Sequence, residues 1–110
     1  MPVQSTPAPN AQVQRMHAAI DKVVAVGPGF LRGDVDVQHM TDTMIGAVRD
    51  YAEQERTAGG DGLPHGVEAE RLHEVLRELL GCGSGFQARR CDAACVARTI
   101  TFMVDEFGAH

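Results

Sequence analysis

The chain of 110 residues contains no tryptophan, one tyrosine and four phenylalanines. A core organised around aromatic rings is therefore excluded. The interior has to be filled by Val, Leu, Ile, Met and Ala, a palette suited to helices packed on helices. Lysine is nearly missing as well: Lys22 is the one lysine among ten basic residues, which face fifteen acidic ones for a net charge of −5. The imbalance is spread along the chain, with five basic and seven acidic residues before Gly59 and five and eight from there on. Neither half is a basic arm, so the positive footprint that releases counterions from a phosphate backbone is not evident, and nucleic acid is not an expected partner.

Long apolar runs are absent too. No stretch approaches the ~20 residues that a transmembrane helix needs, so no membrane is expected as a partner. The opening segment, MPVQSTPAPNAQVQR, has neither the charged start nor the apolar run of a secretory signal. The expected compartment is the cytoplasm, where thiols stay reduced. Three cysteines, an odd number, also argue against a fully paired secreted framework.

The residues that are present read as four helices in one domain, 10–110, behind an extended leader, 1–9, whose Pro and Ser/Thr content leaves little to bury. From Asn10, a suitable N-cap, the residues Val13, Met16, Ile20 and Val23 recur at spacings of 3 and 4, one helical stripe. Gly27 and Pro28 are expected to stop this helix. Asp34 or Asp36 can cap a second helix carrying Val37, Met40, Met44, Val48 and Tyr51, which should run to about Ala58. The glycine-rich segment 59–66 breaks the pattern. The third helix has Leu72, Val75, Leu76 and Leu79 on one face and charged residues on the other, with Gly81 as its expected end. The segment from Ala88 onward places Val96, Ile100, Met103 and Phe107 at helical spacing, with Cys91, Cys95 and Phe102 extending the same period, although TITFMV alone is β-branched and aromatic enough for a strand. The expected fold class is all-α, a small four-helix bundle or a pair of helical hairpins.

Candidate motifs fail on the chemistry they would have to perform. The apolar run before Gly27, Gly29 and Gly33 has the wrong glycine spacing for a dinucleotide loop, and Pro28 removes an N–H that such a loop needs. The segment 57–68 imitates a calcium-binding loop but lacks its first carboxylates. Glu70 with His73, and Asp36 with His39, have the i, i+3 spacing of di-iron ligands, yet the other helices offer no inward Glu to complete the set. RGD at 32–34 is simply a loop tripeptide. No enzyme and no cofactor are expected.

The cysteines sit together in CGSGFQARRCDAAC, residues 82–95. Read as a helix, Cys91 and Cys95 share a face with Cβ atoms about 5–6 Å apart, longer than the roughly 3.5–4.5 Å a disulfide wants. Cys82 falls in the expected loop after Gly81. Cys82, Cys91 and Cys95 are the candidate zinc ligands, but a structural zinc site needs a fourth, which His73 or His110 would have to supply. The arginines before Cys91 would lower a thiol pKa, while burial in the core would make the same thiols inert. Ordinary core or loop thiols are the leading expectation.

The expected function is a protein–protein interaction module, an adaptor, chaperone-like subunit or small regulator, working with another protein or with itself as a homodimer. Its candidate interaction residues are Val96, Ile100, Met103 and Phe107, which with Phe102 and Val104 beside them make the segment apolar over more than one stripe; the same residues read equally well as ordinary core. A zinc-stabilised or thiol-containing helical regulator is the alternative. A small helical DNA-binding protein is a more distant one, and would need Arg89, Arg90 and Arg98 on one exposed face.

Overall fold

The computed structural model describes residues 9–60 and 63–108. They form four helices and, among the described residues, no strand: α1 (Pro9–Arg32), α2 (Val37–Thr57), α3 (Val67–Gln87) and α4 (Ala93–Phe107). The ambiguous TITFMV run lies inside α4. The leader, apart from Pro9 at the start of α1, lies outside the described residues, and Asn10 falls within the helix instead of capping it. Asp36 caps α2, its carboxylate accepting the His39 backbone N–H at 2.8 Å. Asp92 caps α4 by accepting the Cys95 N–H at 2.9 Å.

The helices pack as a four-helix bundle around the expected stripes. Met16, Ile20 and Val23 from α1 meet Met40 and Met44 from α2, Leu72, Leu76 and Leu79 from α3, and Val96, Ile100 and Met103 from α4, all of them fully or almost fully buried. Beside this core lies a polar clamp. Gln12, only 4 % exposed, donates to the Glu55 carboxylate at 3.0 Å and to the Leu63 carbonyl at 2.8 Å, and accepts the His65 N–H at 3.0 Å. Arg15 holds the other Glu55 oxygen from two nitrogens. The segment after α2, which imitated a calcium loop, is thus tied by its backbone to α1; Asp61 and Gly62 within it lie outside the described residues. Burial raises the Tyr51 pKa beside this clamp, and the Glu55 charge adds to the effect.

Two helix ends differ from expectation for one physical reason. Helix α1 runs through Gly27 and Pro28, although an interior proline costs about 3 kcal/mol. Continuation keeps Val26 and Phe30 packed against the core. It also seats Gly27 against α4, where a Cβ would lie 2.9 Å from a Val104 methyl and 3.0 Å from an Ile100 methyl. Helix α3 runs through Gly81, Cys82, Gly83, Ser84 and Gly85, because Gly83 lies directly on α2: a Cβ there would stand 3.0 Å from Ile45 Cγ1 and 3.2 Å from the Thr41 carbonyl oxygen. In both helices the missing side chain permits a close interhelical approach, and that packing outweighs the low helix propensity of glycine.

The actual stops are three Schellman turns of identical hydrogen bonding. At the end of α1, Gly33 N–H donates to the Phe30 carbonyl and Asp34 N–H to that of Gly29; at α2, Gly59 donates to Arg56 and Gly60 to Glu55; at α3, Arg89 donates to Phe86 and Arg90 to Gly85. The left-handed position is taken by Gly33 (φ 90°), Gly59 (φ 83°) and, at the third turn, Arg89 (φ 66°). Arginine in that conformation costs about 1–2 kcal/mol more than glycine.

A Cβ at Gly81 would meet nothing within 4 Å, which separates it from Gly83. Gly81→Ala is expected to raise stability by about 0.5–1 kcal/mol, and Gly83→Ala to lower it by about 1–3 kcal/mol through overpacking. Urea unfolding of both variants checks this. Equal effects of the same sign would mean that α3 ends at Gly81.

Candidate thiol centre

Because α3 continues past Gly81, Cys82 stands on a helix and is not a loop residue. The Schellman turn at Arg89 then reverses the chain, Arg90 and Cys91 cross back over the end of α3, and Asp92 starts α4. Gly85 makes room for this crossing, since a Cβ on it would lie 3.4 Å from Cys91 Cβ. Cys91 therefore precedes α4 and does not form a helical i, i+4 pair with Cys95, so the helical Cβ spacing that disfavoured a Cys91–Cys95 disulfide does not apply. All three cysteines are free and half-buried, and their sulfur atoms lie within 4.8 Å of one another. Among the described residues no other group of His, Cys, Asp or Glu side chains converges in this way.

The surroundings set the chemistry of these thiols. Burial raises the Cys82 pKa, opposed in part by a hydrogen bond from Thr99. Cys91 is pushed up to about 12, first by its hydrogen bond with Cys95, then by burial and by the proximity of Cys82. A thiolate at Cys91 would form in a partly buried pocket beside two other sulfurs, which disfavours the charged form. Arg89 and Arg90, whose place before Cys91 favours a lowered thiol pKa, do not bring one about, since the shift is upward.

Two depressions meet at the thiols. The smaller, about 380 Å³, is lined by all three cysteines with Thr99, Glu78 and Arg90 among its walls. The larger, about 840 Å³, includes Cys91 and Cys95 and is flanked by Arg89, Arg90 and Arg98.

The other candidates are dispersed. Asp36 is occupied as the α2 cap, and its neighbour in sequence His39 is exposed. Glu70 is exposed, whereas His73 lines a separate cavity with Tyr51 and Leu76. His73 does not join the cysteines, and His110 lies outside the described residues. Val96, Ile100 and Met103, expected to form an interaction stripe, are at most 1 % exposed and belong to the core. Their spacing is that of the inward face of α4, which the closure of the bundle covers. Phe107 is half-buried, edge-on to the His17 ring with centroids 6.3 Å apart and beneath the Arg71 guanidinium at 5.9 Å. The large apolar residue that α4 leaves outside is Phe102, 52 % exposed. Phe102, expected to extend the apolar period, falls off the buried stripe of Val96, Ile100 and Met103. The approach of Cys82 was not readable from periodicity, since it depends on how far α3 extends.

The chain matches no protein-family model, no curated protein and no solved structure.

With a pKa near 12, Cys91 is almost wholly protonated at pH 8. Its alkylation by iodoacetamide should be roughly tens-fold slower than that of an unfolded-chain cysteine, after allowing for the higher nucleophilicity of a more basic thiolate. The rate should climb as pH rises, and Cys95→Ala, which removes the largest cause, should speed it. Peptide-resolved mass spectrometry of the alkylated protein reads both effects.

Proposed function

We propose that this protein is a non-enzymatic, thiol-based metal-responsive regulator that takes one soft closed-shell cation, Zn(II) or Cu(I) in type, on Cys82, Cys91 and Cys95. The observation that supports this reading is the convergence of three sulfurs from the C-terminal part of α3 and the start of α4 within 4.8 Å. Soft thiolates select such ions. Three protein ligands leave zinc an open position, unlike a closed structural site. Three thiolates would concentrate negative charge, and the exposed guanidinium groups of Arg89, Arg90 and Arg98 beside them offset it. A reducing compartment, the cytoplasm, keeps the thiols competent. Because the ligands lie at the junction of α3 and α4, an ion would fasten the two helices and link metal occupancy to stability.

The test is titration of the reduced, metal-free protein with Zn(II) and Cd(II), followed by native mass spectrometry and by thiolate-to-cadmium absorption. One ion per chain is expected. Cys82→Ser and Cys95→Ser should each weaken binding by roughly 100-fold or more. Affinity should rise with pH, since the raised thiol pKa values mean that the metal displaces protons at neutral pH. Absence of a stoichiometric ion would refute the reading.

A second reading, a protein–protein interaction module, is favoured by Phe102. Its exposed ring borders an open groove between α3 and α4 with Val75, Thr99 and Arg98, where a partner or a second copy of the chain could seat it. Phe102→Asp should then abolish self-association, read by light scattering, while leaving the melting temperature within about 2 °C, as befits a surface substitution. Phe107→Asp should destabilise the fold instead, because that ring is packed within the chain. A monomer at high concentration that captures no partner would count against this reading.

A further inference from the structure

Of the ten basic residues in the chain, Arg15, Lys22, Arg32, Arg56, Arg71 and Arg77 each stand in an ion pair with an Asp or Glu. Among the described residues Arg49, Arg89, Arg90 and Arg98 have no such partner. Three of these four flank one depression of about 840 Å³, where α3 ends and α4 begins. In an acidic protein that pairs most of its cations, three exposed guanidinium groups around one hollow form a local field of the opposite sign. The carboxylates nearby offset it only in part, two negative charges standing against three positive ones. Asp92, on the rim, accepts the Cys95 backbone N–H, and the Asp42 carboxylate is held by the Gln38 and Gln87 amides at 3.2 and 2.6 Å.

Arg89 carries an independent mark. It occupies the left-handed position of a Schellman turn that the same chain fills with glycine at 33 and 59. Glycine would form this turn with less strain, yet it would remove a guanidinium from the rim. Backbone strain tolerated at one of three equivalent turns fits a side chain retained for binding.

We propose that the depression bounded by Arg89, Arg90 and Arg98 binds the phosphate group of a small organic phosphate. Three guanidinium forks suit a tetrahedral dianion with three free oxygens better than a planar carboxylate, which one fork satisfies. The hollow is larger than a bare phosphate ion, and Phe86 supplies an apolar wall for the organic part. The hollow shares Cys91 and Cys95 with the thiol centre but is not lined by Cys82, so a change at Cys82 tests the thiol centre apart from the hollow.

The experiment titrates reduced, metal-free protein with phenyl phosphate and, as matched controls, with benzoate and a 12-base-pair DNA duplex, by calorimetry at fixed ionic strength. Phenyl phosphate should bind, at least 10-fold more tightly than benzoate. Arg98→Gln should weaken it at least 10-fold. Arg89→Gly should weaken it similarly while raising the melting temperature of the ligand-free protein, a pairing of opposite effects that a purely structural role for Arg89 does not produce. Cys82→Ser should leave it unchanged, so loss of metal binding and loss of phosphate binding are read separately. The proposal falls if phenyl phosphate does not bind at millimolar concentration, if benzoate binds equally well, or if the arginine variants bind as the parent does. Duplex binding tighter than that of phenyl phosphate would overturn it in favour of a nucleic-acid backbone.

Discussion

The contact between Gly83 and α2 governs the candidate site. Where Gly83 lies, the α2 backbone comes so near that a Cβ would press on the Thr41 carbonyl and on Ile45. That approach is possible only without a side chain, and it holds as helix a stretch with three glycines in five residues, 81–85. Once α3 extends this far, Cys82 is on its surface, Gly85 offers a bare patch for the chain to cross, and Cys91 passes over it. Had α3 stopped at Gly81, nothing would hold Cys82 near the other two cysteines. The same device recurs at Gly27, where α1 continues past a proline to meet α4. Conformational cost in two helices is offset by tight interhelical packing.

Charge follows a similar division between local and global cause. Three of the arginine ion pairs, Arg56–Glu53, Arg71–Glu68 and Arg77–Glu74, join residues three apart on one helix. Their spacing is a property of the sequence, and such exposed pairs contribute little stability. The Arg15–Glu55 pair is different. Its residues are forty apart, Glu55 is nearly buried, and Gln12 completes the set. It brings together α1, α2 and the loop before α3, and breaking it would strand buried polar groups. Among the described residues, three of the four arginines without an acidic partner, Arg89, Arg90 and Arg98, collect at the turn from α3 to α4.

How far the site was legible depends on the residue. The number of helices, their inward stripes and the cap at Asp36 follow from 3.6-residue periodicity and side-chain chemistry, and the structure agrees on Met16, Met44, Leu72 and Ile100 alike. Asp92 was equally readable as a cap, and recognising it would have moved Cys91 out of α4. Val96, Ile100 and Met103 were legible as an apolar face that either the core or a partner could cover, because periodicity identifies a face without saying what covers it. Phe102, off that stripe, is the exposed one. The three cysteines were legible as neighbours in sequence only.

The amino-acid sequence by itself determined an all-helical chain with an aliphatic and methionine core, because the pattern of apolar residues is local and repeats within each helix. It also determined which residues are chemically able to bind a soft cation or an anion. Only the tertiary structure decided where α1 and α3 end, since glycine and proline weaken a helix by amounts that packing against another helix can exceed. With those ends came the meeting of Cys82, Cys91 and Cys95 and the gathering of Arg89, Arg90 and Arg98. Each is a distance between segments, fixed by the close approach of one helix to another.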